Sequence, residues 1–445
     1  MLSDGILSRF DMYAGRIRVL SEGYLLPEVR LTAFASMCLT RHRCPLLPGL
    51  REIRIFDIFE HEWTIFLSLC STKLKIVDLG NENENSDEGR HVIGTFLHSL
   101  GRNGSHGLEK LRYFTLRDNY VDVITKFRML QDVELSFSGA SGQLLVESFS
   151  KLSVLDHLSR LCVDWDVDPM HHSFIFPLLP PHSVNFLSLH SIEISVPTHI
   201  ALLLVQCLRA NTLEHIQIDC LSSPLHQTTT SGRVVDECGL VSPGLQEVSL
   251  HFYATQPNSQ ATFGAVLRLT RRFRLRTLKF TCSGLEIDNI SIHQACFSRY
   301  FSHLEILDLG SDRRVPHNSL TFHVLRLFAT HCPLLKDLTL TLTVEDQHLP
   351  SLIKETENEH PLSHCLKRLS ISFVDRAETT QFVANAESIP IVSQYLDTLF
   401  PSLDLIRGYS HYPTFIKAVH RTLKGLQRRS IVDSRRSVGP LVIKI

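Results

Sequence analysis

The stretch LEILDLGSDRRVPHNSLTFHVLRLFATHCPLLKDLTL, residues 304–340, decides how this chain is built. Its opening, Leu304-x-x-Leu307-x-Leu309, returns at its end as Leu335-x-x-Leu338-x-Leu340. In the last three residues of each motif apolar side chains alternate with polar ones, the period of a half-buried strand. Between the motifs Leu320, Val324, Leu327 and Phe328 stand at i, i+4, i+7 and i+8, one face of a helix. Asn318 or Ser319 is placed to cap its first amides. Pro333 ends it, because proline has no amide to donate and its ring clashes with the preceding turn. The unit reads strand, loop, helix, turn, strand. Its two apolar faces need a copy of the unit on each side.

Leucine-like residues at the first, fourth and sixth motif positions recur through most of the chain. The copies begin Leu50-Ile53-Ile55, Leu74-Val77-Leu79, Leu111-Phe114-Leu116 and Leu130-Val133-Leu135. They continue as Leu158-Leu161-Val163, Val184-Leu187-Leu189, Leu213-Ile216-Ile218 and Leu245-Val248-Leu250. Leu275-Leu278-Phe280, the two motifs of the opening stretch and Leu366-Leu369-Ile371 complete the series. From Val184 the starts advance by 29, 32, 30, 29, 31 and 31 residues, a period that marks a repeat solenoid. Before it the steps are looser, at 24, 37, 19, 28 and 26.

Helical patterns fill most gaps, over residues 63–70, 91–100, 144–155, 199–208, 263–273 and 295–301. Strand followed by helix, repeated, predicts a parallel sheet with helices on its outer side. NENENSDE at 81–88 reads as an acidic loop, and residues 221–244 as the longest excursion. After Ile371 the rhythm is expected to stop. Residues 381–400 read as helical, with Pro390 interrupting or restarting the helix, and Phe415, Val419, Leu423 and Leu426 mark a terminal helix. Near the other end Phe10, Tyr13, Ala14 and Ile17 predict one short amphipathic helix over 10–20.

Two copies are preceded by Cys-Pro-Leu-Leu, at 44–47 and 332–335, and residues 10–20 read FDMYAGRIRVL. With the leucine motifs over roughly residues 40–371, these features resemble the leucine-rich repeat region of fungal F-box proteins. The asparagine such repeats carry eight residues after each start occurs only at Asn119, which favours longer, helix-bearing repeats. Nine residues stand before Phe10, so the F-box itself is expected to lie outside this chain. The resemblance implies a substrate receptor of a cullin-type (SCF) ubiquitin ligase, whose adaptor binds only where an upstream F-box exists. A stand-alone repeat scaffold or inhibitor with no ligase link is the alternative.

A chain 43% hydrophobic and 20% charged falls in the ordinary globular class. Its net charge of −1 provides no general field for nucleic acid or an anionic membrane. The longest apolar run, residues 200–205, is far shorter than the ~20 residues of a membrane span. Eleven cysteines without a Cys-x-x-Cys, and a start MLSDGILSRF lacking a basic-then-apolar leader, lead us to expect a reducing compartment, cytoplasmic or nuclear.

The chain's 24 histidines are its first candidates for metal or acid–base chemistry. His331-Cys332, His364-Cys365 and His293-x-x-Cys296 offer ligand pairs, and His171-His172 lies near Asp164, Asp166 and Asp168. Zinc needs three or four ligands converging at about 2.0–2.3 Å, and neighbouring residues in a helix or strand point apart. Packing at repeated helix ends and an exposed polar loop are the expected roles. Gly139-Ala140-Ser141-Gly142 is too short to cradle phosphate, and the phosphate-loop, dinucleotide, nucleophile-elbow and His-Glu-x-x-His motifs do not occur. Arg271, Arg272, Arg274 and Arg276 read as a solvated turn, and residues 428–437 as a basic tail. No catalytic, cofactor-binding or metal-binding residue is nominated.

The informative surface is the sheet's solvent side, since motif positions two, three and five are free of the core. These read Arg51, Glu52, Arg54; Lys75, Ile76, Asp78; Arg112, Tyr113, Thr115; Gln131, Asp132, Glu134; Glu214, His215, Gln217; and Gln246, Glu247, Ser249. The series closes with Arg276, Thr277, Lys279; Glu305, Ile306, Asp308; Lys336, Asp337, Thr339; and Lys367, Arg368, Ser370. Signs alternate without a basic stripe, unlike a nucleic-acid groove. The expectation is therefore an α/β leucine-rich repeat solenoid of about 12 repeats over 41–375. A capping segment (1–40), a helical C-terminal cap (376–427) and a basic tail (428–445) flank it. It would be a non-enzymatic module that binds a protein substrate on its concave sheet face, with no cofactor, nucleic acid or membrane.

Overall fold

A computed structural model describes residues 4–21, 46–55, 70–79, 87–102, 107–113, 120–137, 142–165, 180–221, 227–253, 263–282, 287–310, 320–343, 364–374, 388–408 and 413–437. The protein is α/β, and its long strand ladders are parallel. It divides into two compact units, Met1–Cys220 with Leu240–Gly244, and Leu221–Gly239 with Leu245–Ile445.

The first unit opens with α1 (Asp4–Ala14), β1 (Val19–Ser21), β2 (Glu52–Ile55) and β3 (Ile76–Leu79). There follow α2 (Asp87–Arg102), β4 (Lys110–Tyr113), α3 (Val121–Ile124), β5 (Asp132–Ser136), α4 (Gly142–Leu152) and β6 (Arg160–Asp164). It continues with β7 (Val184–Asn185), β8 (Ser191–Pro197), α5 (Thr198–Cys207), β9 (Leu208–Arg209) and β10 (His215–Leu221). Its strands pair in the order β1-β2-β3-β4-β5-β6-β8-β10, with β7 and β9 forming a separate two-stranded sheet.

After α6 (Gln227–Val241) the second unit alternates β11 (Glu247–Phe252), α7 (Phe263–Arg272), β12 (Thr277–Cys282), α8 (Asn289–Phe297), β13 (Ile306–Leu309) and α9 (His323–His331). It ends with β14 (Asp337–Thr343), β15 (Arg368–Val374), α10 (Ser388–Leu399), β16 (Leu405–Gly408) and α11 (Pro413–Ser437). The order β11-β12-β13-β14-β15-β16 follows the chain.

One backbone device recurs in both units. The carbonyl of motif position two accepts the amides of positions two and three in the next strand. Gln131 O takes Ser159 N and Arg160 N at 2.9 Å each; Glu305 O takes Lys336 N at 2.8 Å and Asp337 N at 3.1 Å. These bonds fix the register without reference to side chains. Position-two residues so identified are Arg18, Arg51, Lys75, Glu109, Gln131, Ser159 and His190 in the first unit. In the second they are Gln246, Arg276, Glu305, Lys336 and Lys367. Positions one, four and six point into the core: Leu335, Leu338 and Leu340 are at most 1% exposed.

This register corrects two of the expected copies. The strand assigned to Leu111-Phe114-Leu116 is Leu108-Leu111-Tyr113, because Leu111 pairs with Val77 and Val133. Tyrosine in the sixth place concealed it. Val184-Leu187-Leu189 is not a ladder strand: Val184 pairs with Leu208 in the small sheet, and Leu187 is 58% exposed. The ladder copy is Leu189-Ile192-Ile194, since Ile192 pairs with Leu161 and Ile194 with Val163.

The ladder also extends past both limits, 41 and 375, set from sequence. Leu20 of β1 pairs with Ile53, so residues 10–20 are not one helix: α1 ends at Ala14, and Tyr13 and Ile17 are exposed. At the other end Leu369 pairs with Ile406 and Ile371 with Gly408. Glycine in the sixth place broke the leucine pattern there. A Cβ on Gly408 would come within 2.8 Å of Ile416 Cγ1, so α11 lies close against β16.

The helices bring further corrections. Part of the 221–244 excursion is α6, on which Val234, Val235 and Cys238 are buried; its Gln-Thr-Thr-Thr start has poor helix propensity. The helix expected at 295–301 starts earlier, as α8, where Asp288 Oδ1 accepts Ser291 N at 2.7 Å. It ends before Arg299, at φ 59°. Pro390 sits in the first turn of α10, where its missing amide costs nothing. Residues 428–437, read as a tail, continue α11, on which Phe415, Val419 and Leu423 are buried. The caps expected at Asn318 and Ser319, the 63–69 helix and the start of the acidic loop lie outside the described residues.

Helix α11 also supplies donors to the turn before β16. Lys424 Nζ donates to Leu403 O at 3.0 Å, and Gln427 Nε2 to Leu403 O at 3.2 Å and Pro401 O at 3.1 Å. Elsewhere the position-one carbonyl receives a side chain of the following motif: Thr212 Oγ1 to Leu189 O at 2.9 Å, and Cys365 Sγ to Leu335 O at 3.4 Å. No helix among the described residues is long and apolar enough to cross a membrane.

Candidate interaction face

Because the strands are in register, motif positions three and five form rows across each ladder. In the first unit row five runs Arg54, Asp78, Arg112, Glu134, Cys162, Glu193. Row three runs Glu52, Ile76, Lys110, Asp132, Arg160, Ser191. Opposite charges fall beside one another along and between the rows. Arg160 is the hub: Nη1 donates to Asp132 Oδ1 at 2.9 Å, and Nη2 to Glu193 Oε1 at 3.1 Å. Lys110 and Arg112 approach Asp132 at 3.5 and 3.7 Å. Burial alone would lower the Arg160 pKa, but its bonds to Asp132 and Glu193 raise it above the usual value. Asp78 is 8% exposed; burial lifts its pKa despite the opposing fields of Arg112 and Arg54. Cys162 is held as a thiol, its pKa pushed up to about 12 by burial and then by Glu134 and Glu193.

In the second unit row five runs Ser249, Lys279, Asp308, Thr339, Ser370, Arg407, and row three Glu247, Thr277, Ile306, Asp337, Arg368, Leu405. Glu305, at position two, accepts Arg276 Nε at 2.9 Å and also a bond from Lys336 Nζ. The Lys336 bond and then the Arg276 bond hold its pKa below the usual value. Asp337 takes both prongs of Arg368. Asp308 is raised by burial, against the Gly310 amide bond at 2.9 Å and the charges of His251 and Lys279. An open hollow of about 230 Å³ lies between the two rows. Thr339 and Ser370 stand in its middle, with Asp308 and Lys279 toward one end and Arg407 and Leu405 toward the other.

The face positions read from sequence are largely those of the structure, with exceptions that follow the register. Glu109, Lys110 and Arg112 replace Arg112, Tyr113 and Thr115. Arg160, Glu193 and Arg407 were not among the expected residues. Arg160 holds position three of the Leu158-Leu161-Val163 copy already legible in the sequence, and the interval of 24 residues from Leu189 to Leu213 is the signal that could have located Glu193.

The histidine and cysteine pairs serve packing. His364 Nε2 donates to Cys332 O at 2.7 Å and Nδ1 accepts Leu366 N at 3.0 Å, so both ring nitrogens are occupied. Burial lowers its pKa, against the Cys332 bond. Cys332 is fully buried and its thiol is driven upward by Cys296 and by burial. Cys365 Sγ donates to Pro333 O at 3.0 Å. His293 and Cys296 diverge: the imidazole stacks on Phe297 at 6.0 Å, while Cys296 is buried. His171, His172, Asp166, Asp168 and residues 139–141 lie outside the described residues. Among the described residues no three His, Cys, Asp or Glu side chains converge on a metal-sized point. Arg276 of the basic run pairs with Glu305, and Arg272 lies over the Phe273 ring at 5.7 Å. What this face presents is a set of charges, hydroxyls and apolar edges held in register. No protein-family model matches the chain, and no curated protein matches it in sequence.

Proposed function

We propose that the chain is a leucine-rich repeat solenoid that recognises another protein on its open strand face. The observation that carries this reading is the recurring bond from one position-two carbonyl to two amides of the next strand. It makes each strand a copy of the last and lays positions two, three and five in rows, the mixed polar surface repeat proteins offer to partners. Helix α11 acts as the C-terminal cap, since Lys424 and Gln427 occupy the Leu403 carbonyl as the next motif does elsewhere. On the resemblance of the leucine and Cys-Pro-Leu-Leu motifs to fungal F-box proteins, the partner is a substrate delivered to a cullin-type ubiquitin ligase. The described cysteines are free thiols, which suits the cytoplasm or nucleus.

The test is affinity capture of the native, full-length protein beside variants with reversed face charges. Recovery of cullin and adaptor, together with a client that is lost in the face variants and accumulates when the gene is removed, supports the whole reading. A face-dependent client without adaptor or cullin would leave the stand-alone scaffold. Clients indifferent to the face variants would sink the recognition surface.

A further inference from the structure

We infer that the hollow at the C-terminal end of the second unit's face receives a single acidic side chain, Asp or Glu, from the partner protein. This rests on the recognition reading above and names the group that face selects. Five charged side chains line the hollow: Lys279, Asp308, Asp337, Arg368 and Arg407. Two are paired with each other, and two more carry charges that offset one another. Asp337 is taken by Arg368, and Asp308 has Lys279 beside it in register. Arg407 has no ion pair among the described residues, because its neighbours in register are Ser370 and then Thr339, not a carboxylate. Neither of those hydroxyls has a hydrogen-bond partner among the described residues, and each can donate one proton.

Two free hydroxyls and an uncompensated guanidinium on adjacent strands thus face one space, within a span of roughly 10 Å at the usual strand spacing. Guanidinium and hydroxyl donors together suit a carboxylate, which accepts on both oxygens. The single surplus charge is matched by one carboxylate and not by a dianionic phosphate. A space of about 230 Å³ is below the range of small-molecule pockets, so it suits one projecting side chain. Leu405, at the Arg407 end, supplies apolar contact for the stem of that side chain.

The probe is a displayed library of random peptides selected on the full chain. Thr339→Arg, which fills the hollow, serves as the blocking control. Selected peptides should share one Asp or Glu at a fixed place. Replacing it by the amide, or making Arg407→Gln, should weaken binding by about tenfold, with an unchanged unfolding midpoint. Reselection on Arg407→Glu should return Lys or Arg at the same place. A consensus unaltered by Arg407→Glu overturns the inference, as does a phosphoserine peptide that outbinds the glutamate peptide. Peptides blocked by Thr339→Arg yet lacking an acidic residue overturn it while leaving the recognition face standing. A selection with no peptide sensitive to Thr339→Arg removes both.

Discussion

The strand faces of the two units use the same residue types to different ends. In the first unit Arg54, Asp78, Arg112 and Glu134 alternate in sign across successive strands, and Arg160 ties Asp132 to Glu193. Nearly every charge there has its opposite on the next strand. In the second unit Ser249 precedes Lys279 and Asp308, which alternate in the same way, and the alternation then breaks at Thr339 and Ser370 before Arg407. The difference lies in two short hydroxyl residues. They open the hollow and separate a guanidinium from any carboxylate in its row. Charges consumed between strands support register, since a slipped pairing sets like signs together. Charges left over, such as Arg407, stay exposed on the face.

The comparison depends on the register, and the largest predicted effect tests it. Leu338→Ala should cost about 2–5 kcal/mol, because the leucine is 1% exposed among the core residues. Its neighbour Thr339→Ala should stay within about 0.5 kcal/mol. Urea unfolding gives both, and equal midpoints would refute the assigned faces. The next effect separates the units. Arg160→Leu leaves Asp132, 7% exposed, without its closest counter-charge. Because the Arg160 side chain is 29% exposed, the cost should be about 1–3 kcal/mol rather than that of a fully buried pair. Arg407→Leu, at a side chain with no such partner among the described residues, should change stability by no more than about 0.5 kcal/mol. Equal losses at the two arginines would erase the contrast.

How far the fold was legible from sequence follows from the same register. Leucine at positions one, four and six located most ladder strands, because only a periodic apolar face can stack on its neighbours. It failed where a residue other than leucine holds the sixth place. Tyr113 stands in line with Leu79 and Leu135, and at Gly408 the approaching Ile416 of α11 fills the space a leucine would occupy. It also accepted a decoy, since Val184 and Leu189 are core residues while Leu187 between them is not. Helix α6 escaped because its buried residues follow a polar, threonine-rich start. For the candidate site, the rows were readable wherever the register was right. Which charges pair was not, because a pair joins residues about thirty positions apart, as Asp132 does Arg160 and Asp337 does Arg368.

The smallest predicted effect contrasts two aspartates at position five, Asp78 in the first unit and Asp308 in the second. Burial raises both pKa values above the ordinary 3.8. The sign follows from linkage: a carboxyl whose folded pKa is raised stabilises the fold in its protonated form below 3.8, and that contribution is lost as pH rises through the folded value. At neutral pH each ionised group is therefore held at a cost, and asparagine would relieve it. The surroundings decide whether relief is the whole outcome. Asparagine at 308 can still accept the Gly310 amide through its carbonyl, and only His251 and Lys279 lose a counter-charge. Asp308→Asn should thus be neutral or stabilising at pH 7, by no more than about 0.5 kcal/mol. Asparagine at 78 leaves Arg54 and Arg112 facing each other across the row without the carboxylate between them. Asp78→Asn should be the less stable of the two at pH 7. Below pH 3.8, where the wild-type carboxyls are themselves neutral, the two variants should converge on the wild type. Unfolding midpoints measured across that range decide it: if Asp308→Asn is the more destabilised at neutral pH, the first unit's face is not the more tightly coupled of the two.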